Sequence, residues 1–194
     1  MNRIPRWAVA SAVGAPVLLI GGWTLAATRQ PPGYNSIRDT ISALAARGAT
    51  DRWVMTSALA GLGACHVITA LGLRPAGRAG RGVLAGGGVA TLLVAAFPQP
   101  VHGNSVPHTI AATAAFISLG AWPMFAARRR PCAPLLTRPV SVTATVALLG
   151  LVVWFAAEIH GAQRGLAERA AAGAQALWPL AVVTTARWWT EHTA

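Results

Sequence analysis

The segment at residues 7–27, "WAVASAVGAPVLLIGGWTLAA", decides the fold class of this chain. It contains no charged side chain, and its length matches the roughly 20 residues that an α-helix needs to cross the hydrocarbon core of a bilayer. We therefore predict a membrane-spanning helix that is retained in the protein. Because Arg3 and Arg6 precede the segment, a secretory signal cleaved near Ala26 is the alternative.

Five further apolar segments extend this interpretation to the whole chain. Hydrophobic residues make up 54% of the sequence and charged residues only 11%, whereas a soluble domain carries about a quarter charged residues. The sequence predicts an all-α membrane protein, with six transmembrane helices bundled in a single integral membrane domain over residues 1–194. The predicted spans cover residues 7–27, 53–73, 82–97, 109–127, 140–159 and 171–189.

The third span is short and rich in glycine. Its residues Gly82 and Gly86 are separated by three positions, and small residues at this spacing allow two helices to approach closely in lipid. We predict that this face of the span packs against a neighbouring helix.

The placement of arginine predicts the orientation of the chain. All sixteen basic residues are arginine, and cytoplasmic loops of membrane proteins carry an excess of positive residues. A cytoplasmic N-terminus puts ten arginines in cytoplasmic segments and six in outer segments. We predict a multi-pass protein of a bacterial cytoplasmic (inner) membrane with both termini in the cytoplasm. The arginines lie in short clusters between apolar runs, so no nucleic-acid partner is expected.

A polar stretch, "GYNSIRDTISALAARGAT" at residues 33–50, separates the first two spans. Ser36 followed by Asp39 resembles a capping box at a helix start, and Gly48 suits the position just after a helix end. The aliphatic residues between them recur on one helical face. We predict a short helix over about residues 36–47 that lies in the outer membrane interface.

With this orientation, three connections face the outside, and they hold most of the polar residues other than arginine. Ionisable groups at membrane depth commonly mark binding sites or pathways. The sequence therefore predicts an outward-facing polar vestibule that binds or moves a small or lipidic ligand. The candidate ligand-binding residues are Asp39, Ser42, His102, His108, Glu158, His160 and Arg164. Capping of the short helix, with balance of Arg38, is the structural alternative for Asp39.

Two other polar features receive structural interpretations. His66 lies in the middle of the second span, about 20 Å along the helix from Trp53, and we expect it to form an interhelical hydrogen bond. Arg164 and Glu168 are four residues apart and are expected to form an ion pair on one helix face.

The outer histidines raise the question of a metal. Three of them, with Asp39 or Glu158, supply the ligand types of a catalytic zinc site, but no H-E-x-x-H motif is present. No G-x-S-x-G nucleophile turn occurs either. We predict no bound metal, no cofactor and no catalytic residue, and a non-enzymatic function is favoured. A membrane-embedded, metal-dependent lipid hydrolase is one alternative.

Several strings together resemble a known family of bacterial membrane proteins. They are "GYNSIRDTISALAARGATDRWVM" (33–55), "ALGLRP" (70–75), "AAFPQPVHG" (95–103) with a histidine after it, "GLAER" (165–169) and "LWPL" (177–180). In these strings the chain is similar to the domain of unknown function 998 family over nearly its whole length. The resemblance implies a bundle of six spans and carries no activity or catalytic residue with it.

The expected partners are membrane lipids and the unidentified ligand. A chain of 194 residues would need to form a homo-oligomer to enclose a wide path, and paired broken helices typical of transporters are not visible. A non-catalytic membrane subunit is therefore the other alternative function.

Overall fold

The computed structural model describes residues 4–101, 103–128 and 133–192. In these residues the chain is helical, with seven α-helices and two 3₁₀ turns. The helices are α1 (Arg6–Thr28), α2 (Ile41–Leu44), α3 (Trp53–Gly72), α4 (Gly77–Ala96), α5 (Val106–Ala126), α6 (Arg138–Ala157) and α7 (Arg164–His192). The 3₁₀ turns are Arg74–Ala76, before α4, and Pro134–Leu136, before α6.

Five helical stretches are long and apolar enough to cross a membrane. They are Arg6–Thr28, Trp53–Gly72, Arg74–Ala96, Val106–Ala126 and Arg138–Ala157. Val17, Ile110, Val146 and Val153 on these helices are between 62% and 67% exposed, and so much outward-facing aliphatic surface suits a lipid environment. The predicted all-helical membrane bundle is confirmed. The sixth span, at residues 171–189 within α7, stays a prediction.

The six long helices form a closed ring. Helix α1 packs against α3, α3 against α4, α4 against α5, α5 against α6, α6 against α7, and α7 against α1. Short connections between consecutive helices favour antiparallel neighbours in such a bundle. Helix α7 also touches α3 and α5, so part of its surface faces the interior of the ring.

The connections after α1, α4 and α6 meet at one end of this ring. The backbone N–H of Arg47 donates to the carbonyl oxygen of Gln99 at 3.0 Å. The guanidinium Nε of Arg164 donates to the carbonyl oxygen of Arg38 at 2.9 Å. The three connections that the sequence predicted to share one side therefore lie next to one another.

The core consists of two clusters of buried side chains. One surrounds Trp122 and includes Leu136 of the second 3₁₀ turn together with Val182 and Val183 of α7. The other lies under α2 and contains residues of α1, α3 and α4 that pack against Leu44. Each end of the ring therefore has its own packed core.

Glycine allows the closest approach between α3 and α4. A Cβ atom on Gly63 would lie 2.6 Å from the carbonyl oxygen of Gly88, and one on Gly88 would lie 2.7 Å from that of Gly63. Gly82 and Gly86 instead have open space beside them within the described residues. The predicted packing role of Gly82 and Gly86 is therefore wrong within this chain, because they lie on the exposed face of α4 and Gly88 lies on the buried one.

The short helix after α1 differs in length from the prediction for residues 36–47. Only Ile41–Leu44 is α-helical, and the preceding residues form a turn. The Asp39 carboxylate accepts a hydrogen bond from the N–H of Asn35 at 2.8 Å, which closes the turn before the helix. Thr40 is then extended and caps α2, because its hydroxyl accepts the N–H of Ala43 at 3.1 Å. Of the two predicted capping residues, Asp39 therefore closes the preceding turn, and Thr40, which the prediction did not name, caps the helix.

Candidate functional site

Arg169 holds the connection between α1 and α3, residues 29–52, which we call the α2 loop. Its Nη1 atom donates to the carbonyl oxygens of Ser36 and Asp39, both at 2.7 Å, and to that of Gly165 on its own helix at 2.9 Å. Its Nη2 atom donates to the hydroxyl of Tyr34. A planar guanidinium presents several donors in a fixed arrangement, so a single side chain fixes three points of the loop.

Two further donors from the start of α7 complete this contact. The backbone N–H of Leu166 donates to the carbonyl oxygen of Ile37 at 2.9 Å, and Arg164 Nε donates to that of Arg38 at 2.9 Å. The carbonyl groups of four consecutive residues, 36–39, therefore all accept hydrogen bonds from α7. The first turns of α7 position α2 through its backbone.

Glu168 is the buried acid of this region, with 4% of the residue exposed. Its carboxylate accepts hydrogen bonds from the backbone N–H of Ile41 and from the hydroxyl of Ser42, the latter at 2.9 Å. Burial raises the pKa of the Glu168 carboxyl, and the hydrogen bonds from Ile41 and Ser42 and the charge of Arg169 oppose that shift. An acid from α7 thus satisfies the first free N–H group of α2.

A cavity lies directly beside Glu168, inside the ring of helices. Its volume is about 60 Å³, which is room for about four waters. Residues of both core clusters line it, so it lies where the two clusters meet. The lining residues are Leu19, Ile41, Ser42, Leu59, Leu62, His66, Thr91, Val94, Ala112, Ala115, Phe116, Leu119, Glu168, Ala172 and Gln175.

The polar groups at the far end of the cavity are His66, Thr91 and Gln175. Glu168 and Gln175 are seven residues apart on α7, so the cavity extends about 10 Å along that helix. The Gln175 amide donates to the carbonyl oxygen of Phe116 at 2.9 Å. The Thr91 hydroxyl donates to the carbonyl oxygen of Gly87 at 2.9 Å.

His66 is different from these groups. It is 1% exposed, and neither ring nitrogen has a hydrogen-bond partner among the described residues. The interhelical hydrogen bond predicted for His66 is therefore not formed. An unpaired buried polar group costs about 1–3 kcal/mol, and such groups in a native structure call for a ligand, a water or a functional role.

Of the seven predicted ligand-binding residues, Ser42 lines the cavity. Asp39 closes the turn before α2, and Arg164 holds the α2 loop. Ligand binding at these residues stays a prediction.

The other predicted residues lie away from the cavity lining or outside the described residues. His108 lies at the start of α5, and its ring Nδ1 is 2.9 Å from the carbonyl oxygen of Phe97, which follows α4. Glu158 accepts the N–H of Gln163 in the α6–α7 connection, and His160 is exposed. His102 lies outside the described residues.

Four polar residues of the cavity lining, His66, Thr91, Glu168 and Gln175, were assigned no ligand role from the sequence. The expected ion pair between Arg164 and Glu168 is replaced by separate contacts of each residue to the α2 loop. His66, Thr91 and Gln175 are polar interruptions of apolar spans, and polar residues inside spans commonly face a bundle interior. These polar residues inside apolar spans are visible in the sequence and could have indicated an interior site.

Within residues 4–101, 103–128 and 133–192, no group of three or more His, Cys, Asp or Glu side chains is arranged to hold a metal ion. The polar residues of the cavity are suited to hydrogen bonding.

Fold and site together define an α-helical membrane protein with an internal, mostly apolar cavity. The model of the family described as "Protein of unknown function (DUF998)" matches residues 12–185, and the chain belongs to that family. No curated protein and no solved structure matches the chain.

Proposed function

We propose that this protein binds a small or lipidic ligand in the cavity between α2 and His66, and moves it or presents it at the membrane surface. Ligand sites are typically concave and mostly apolar, with a few polar groups that fix orientation. The observation that carries the proposal is His66, a buried side chain to which the described residues offer no hydrogen-bond partner, on a cavity that also contains Glu168 and Gln175. A ligand with a polar group would satisfy that imidazole.

The proposal includes six membrane spans, with α7 as the last. Helix α7 has 29 residues and is therefore about 44 Å long, which exceeds the roughly 30 Å hydrocarbon core. Six crossings with a cytoplasmic N-terminus place the α2 loop on the outer side of a bacterial inner membrane. In this arrangement the α2 loop forms the outward-facing wall of the cavity, with Ser42 on its lining and Asp39 and Arg164 beside it.

The ligand-binding part is tested by the molecules that copurify with the protein. The protein is purified in nanodiscs, and the extracted small molecules are identified and quantified by mass spectrometry. Ala115 lines the cavity, and the substitution Ala115→Leu fills part of it. Ala114 is exposed on the same helix, so Ala114→Leu is the matched control.

We expect one molecular species at about one copy per chain in the wild type and in Ala114→Leu, and its depletion in Ala115→Leu, because a stably occupied site saturates. Identical profiles for all three proteins would overturn the proposal.

The topology is tested by labelling with a membrane-impermeant thiol reagent. Single cysteines introduced as Ile37→Cys, Asn104→Cys and Gly161→Cys, in a chain whose native cysteines are replaced by serine, are expected to react from the outer side. Reaction of Asn104→Cys from the opposite side to Ile37→Cys would overturn the six-span arrangement.

A further inference from the structure

The charge inside the cavity is opposite to that of the chain as a whole. The sequence contains sixteen basic residues and five acidic ones. Among the described residues that line the cavity, Glu168 is acidic, His66 carries an imidazole and none is an arginine. One of the five acidic residues is therefore buried on the cavity in which we propose that the ligand binds.

The nearest cationic side chains are engaged outside the cavity. Arg169 donates to the carbonyl oxygens of Ser36, Asp39 and Gly165 and to Tyr34, and Arg164 donates to the α2 loop. Neither belongs to the cavity lining. An anionic ligand would lose its hydration without gaining a cationic partner, which is strongly unfavourable.

The hydrogen-bonding capacity of the Glu168 end also favours a ligand that donates hydrogen bonds. Each oxygen of the Glu168 carboxylate already accepts one bond from the protein, from Ile41 or Ser42. A carboxylate oxygen has room for about one more donor beyond that. The free capacity facing a ligand at the Glu168 end is therefore for accepting hydrogen bonds, so the ligand must donate them.

We propose that the cavity selects a small amphiphile with a protonated amino group that donates to Glu168. Its apolar middle lies against the aliphatic walls, and its far end carries a hydrogen-bonding group for His66. This inference rests on the proposed function and narrows it to a chemical class. Leu59, Leu62 and Leu119 supply the apolar wall. An ammonium group neutralises the buried carboxylate as well as donating to it, which an alcohol of equal length cannot do.

Three probes of equal chain length separate these classes: octylamine, octan-1-ol and octanoate. Each is titrated into the full chain in nanodiscs, and bound copies per chain are counted by native mass spectrometry, which distinguishes binding from partition into lipid. We expect octylamine to bind as a single copy about tenfold more tightly than octan-1-ol, and octanoate not to bind. The ranking is measured on the wild-type protein and needs no variant.

The variant Glu168→Gln then tests the contact itself. It keeps the size and an acceptor oxygen of the side chain but removes the charge. It should lower octylamine affinity about tenfold and octan-1-ol affinity by less, because the alcohol loses a charged acceptor but no ion pair. Glu191→Gln removes a charge near the C-terminal end of α7, away from the cavity lining, and is the matched control with no expected effect.

Equal binding of all three probes, or a preference for octanoate, overturns the amine selectivity while leaving the ligand-binding function in place. If no probe binds, the amine class is also overturned, and the copurification experiment with Ala115→Leu decides the broader function separately. Loss of octylamine binding in Glu191→Gln as well as in Glu168→Gln would likewise contradict the assigned contact.

Discussion

The two ends of the cavity differ in the hydrogen bonding of their buried polar groups. At the α2 end, Glu168 accepts two hydrogen bonds and Arg169 donates four. At the other end, His66 is equally buried and has no partner among the described residues. The first arrangement stabilises a loop on a helix. The second costs stability unless a water or a ligand satisfies the imidazole.

The largest expected effect is at Arg169. Arg169→Ala removes the donors that fix three points of the α2 loop, and hydrogen bonds to charged groups contribute about 1.5–3 kcal/mol each. Because these bonds act as one unit, we expect the free energy of unfolding in mixed micelles to fall by about 2–4 kcal/mol. Arg164→Ala removes a single bond and should cost less. Equal costs for the two variants would contradict the central role of Arg169.

A second prediction concerns the close approach of α7 to the α2 loop. A Cβ atom on Gly165 would lie 2.7 Å from the carbonyl oxygen of Ser36. Gly165→Ala should therefore cost about 1–3 kcal/mol and increase hydrogen exchange in residues 36–44. Gly150 in α6 has open space around it among the described residues, so Gly150→Ala should be neutral or stabilise the helix by up to about 1 kcal/mol. A harmless Gly165→Ala would show that the loop is not closely packed.

Capping of α2 has a smaller expected effect. Thr40→Ala removes the acceptor for the N–H of Ala43 and should cost about 1 kcal/mol. The amide of Ala43 should exchange faster, while amides of α3 keep their protection. Thr40→Ser keeps the hydroxyl and is the control. Faster exchange in both variants would indicate that packing of the methyl group, rather than the cap, holds α2.

The smallest expected effect is at the other end of the cavity. His66→Leu removes no hydrogen bond seen in the structure, and it replaces an unpaired polar ring by an apolar side chain. We expect the unfolding free energy to change by no more than about 1 kcal/mol, or to rise. The same variant should lose the copurifying ligand. A loss of several kcal/mol would mean that His66 has a structural partner, and the contrast between the two ends would disappear.

Much of the fold followed from hydrophobic length alone. Apolar segments of about 20 residues need a bilayer to bury their surface, and five of the six predicted spans correspond to helices that satisfy that requirement. The packing face of α4 was predicted incorrectly, because spacing of glycine does not say which face meets a neighbour. Gly82 and Gly86 have the expected spacing, but Gly88 makes the contact.

The cavity was harder to predict than the helices. The connections contain many polar residues, and the prediction of a ligand site was based on them. Several of these side chains instead accept backbone N–H groups within the connections, as Asp39 and Glu158 do. Glu168 was interpreted as a partner of Arg164, because sequence spacing reveals contacts within a helix and not contacts across 126 residues with Ser42. Glu168 and Ser42 come together because α7 packs against α1 and α2.

Because α7 recognises the carbonyl groups of residues 36–39, most of the contact does not depend on which side chains those residues carry. Positions 36, 37 and 38 should accept varied amino acids with little loss of folded protein, while Arg169 should accept almost none. Saturation mutagenesis of both segments would show this asymmetry, and natural variation within the family should follow the same pattern.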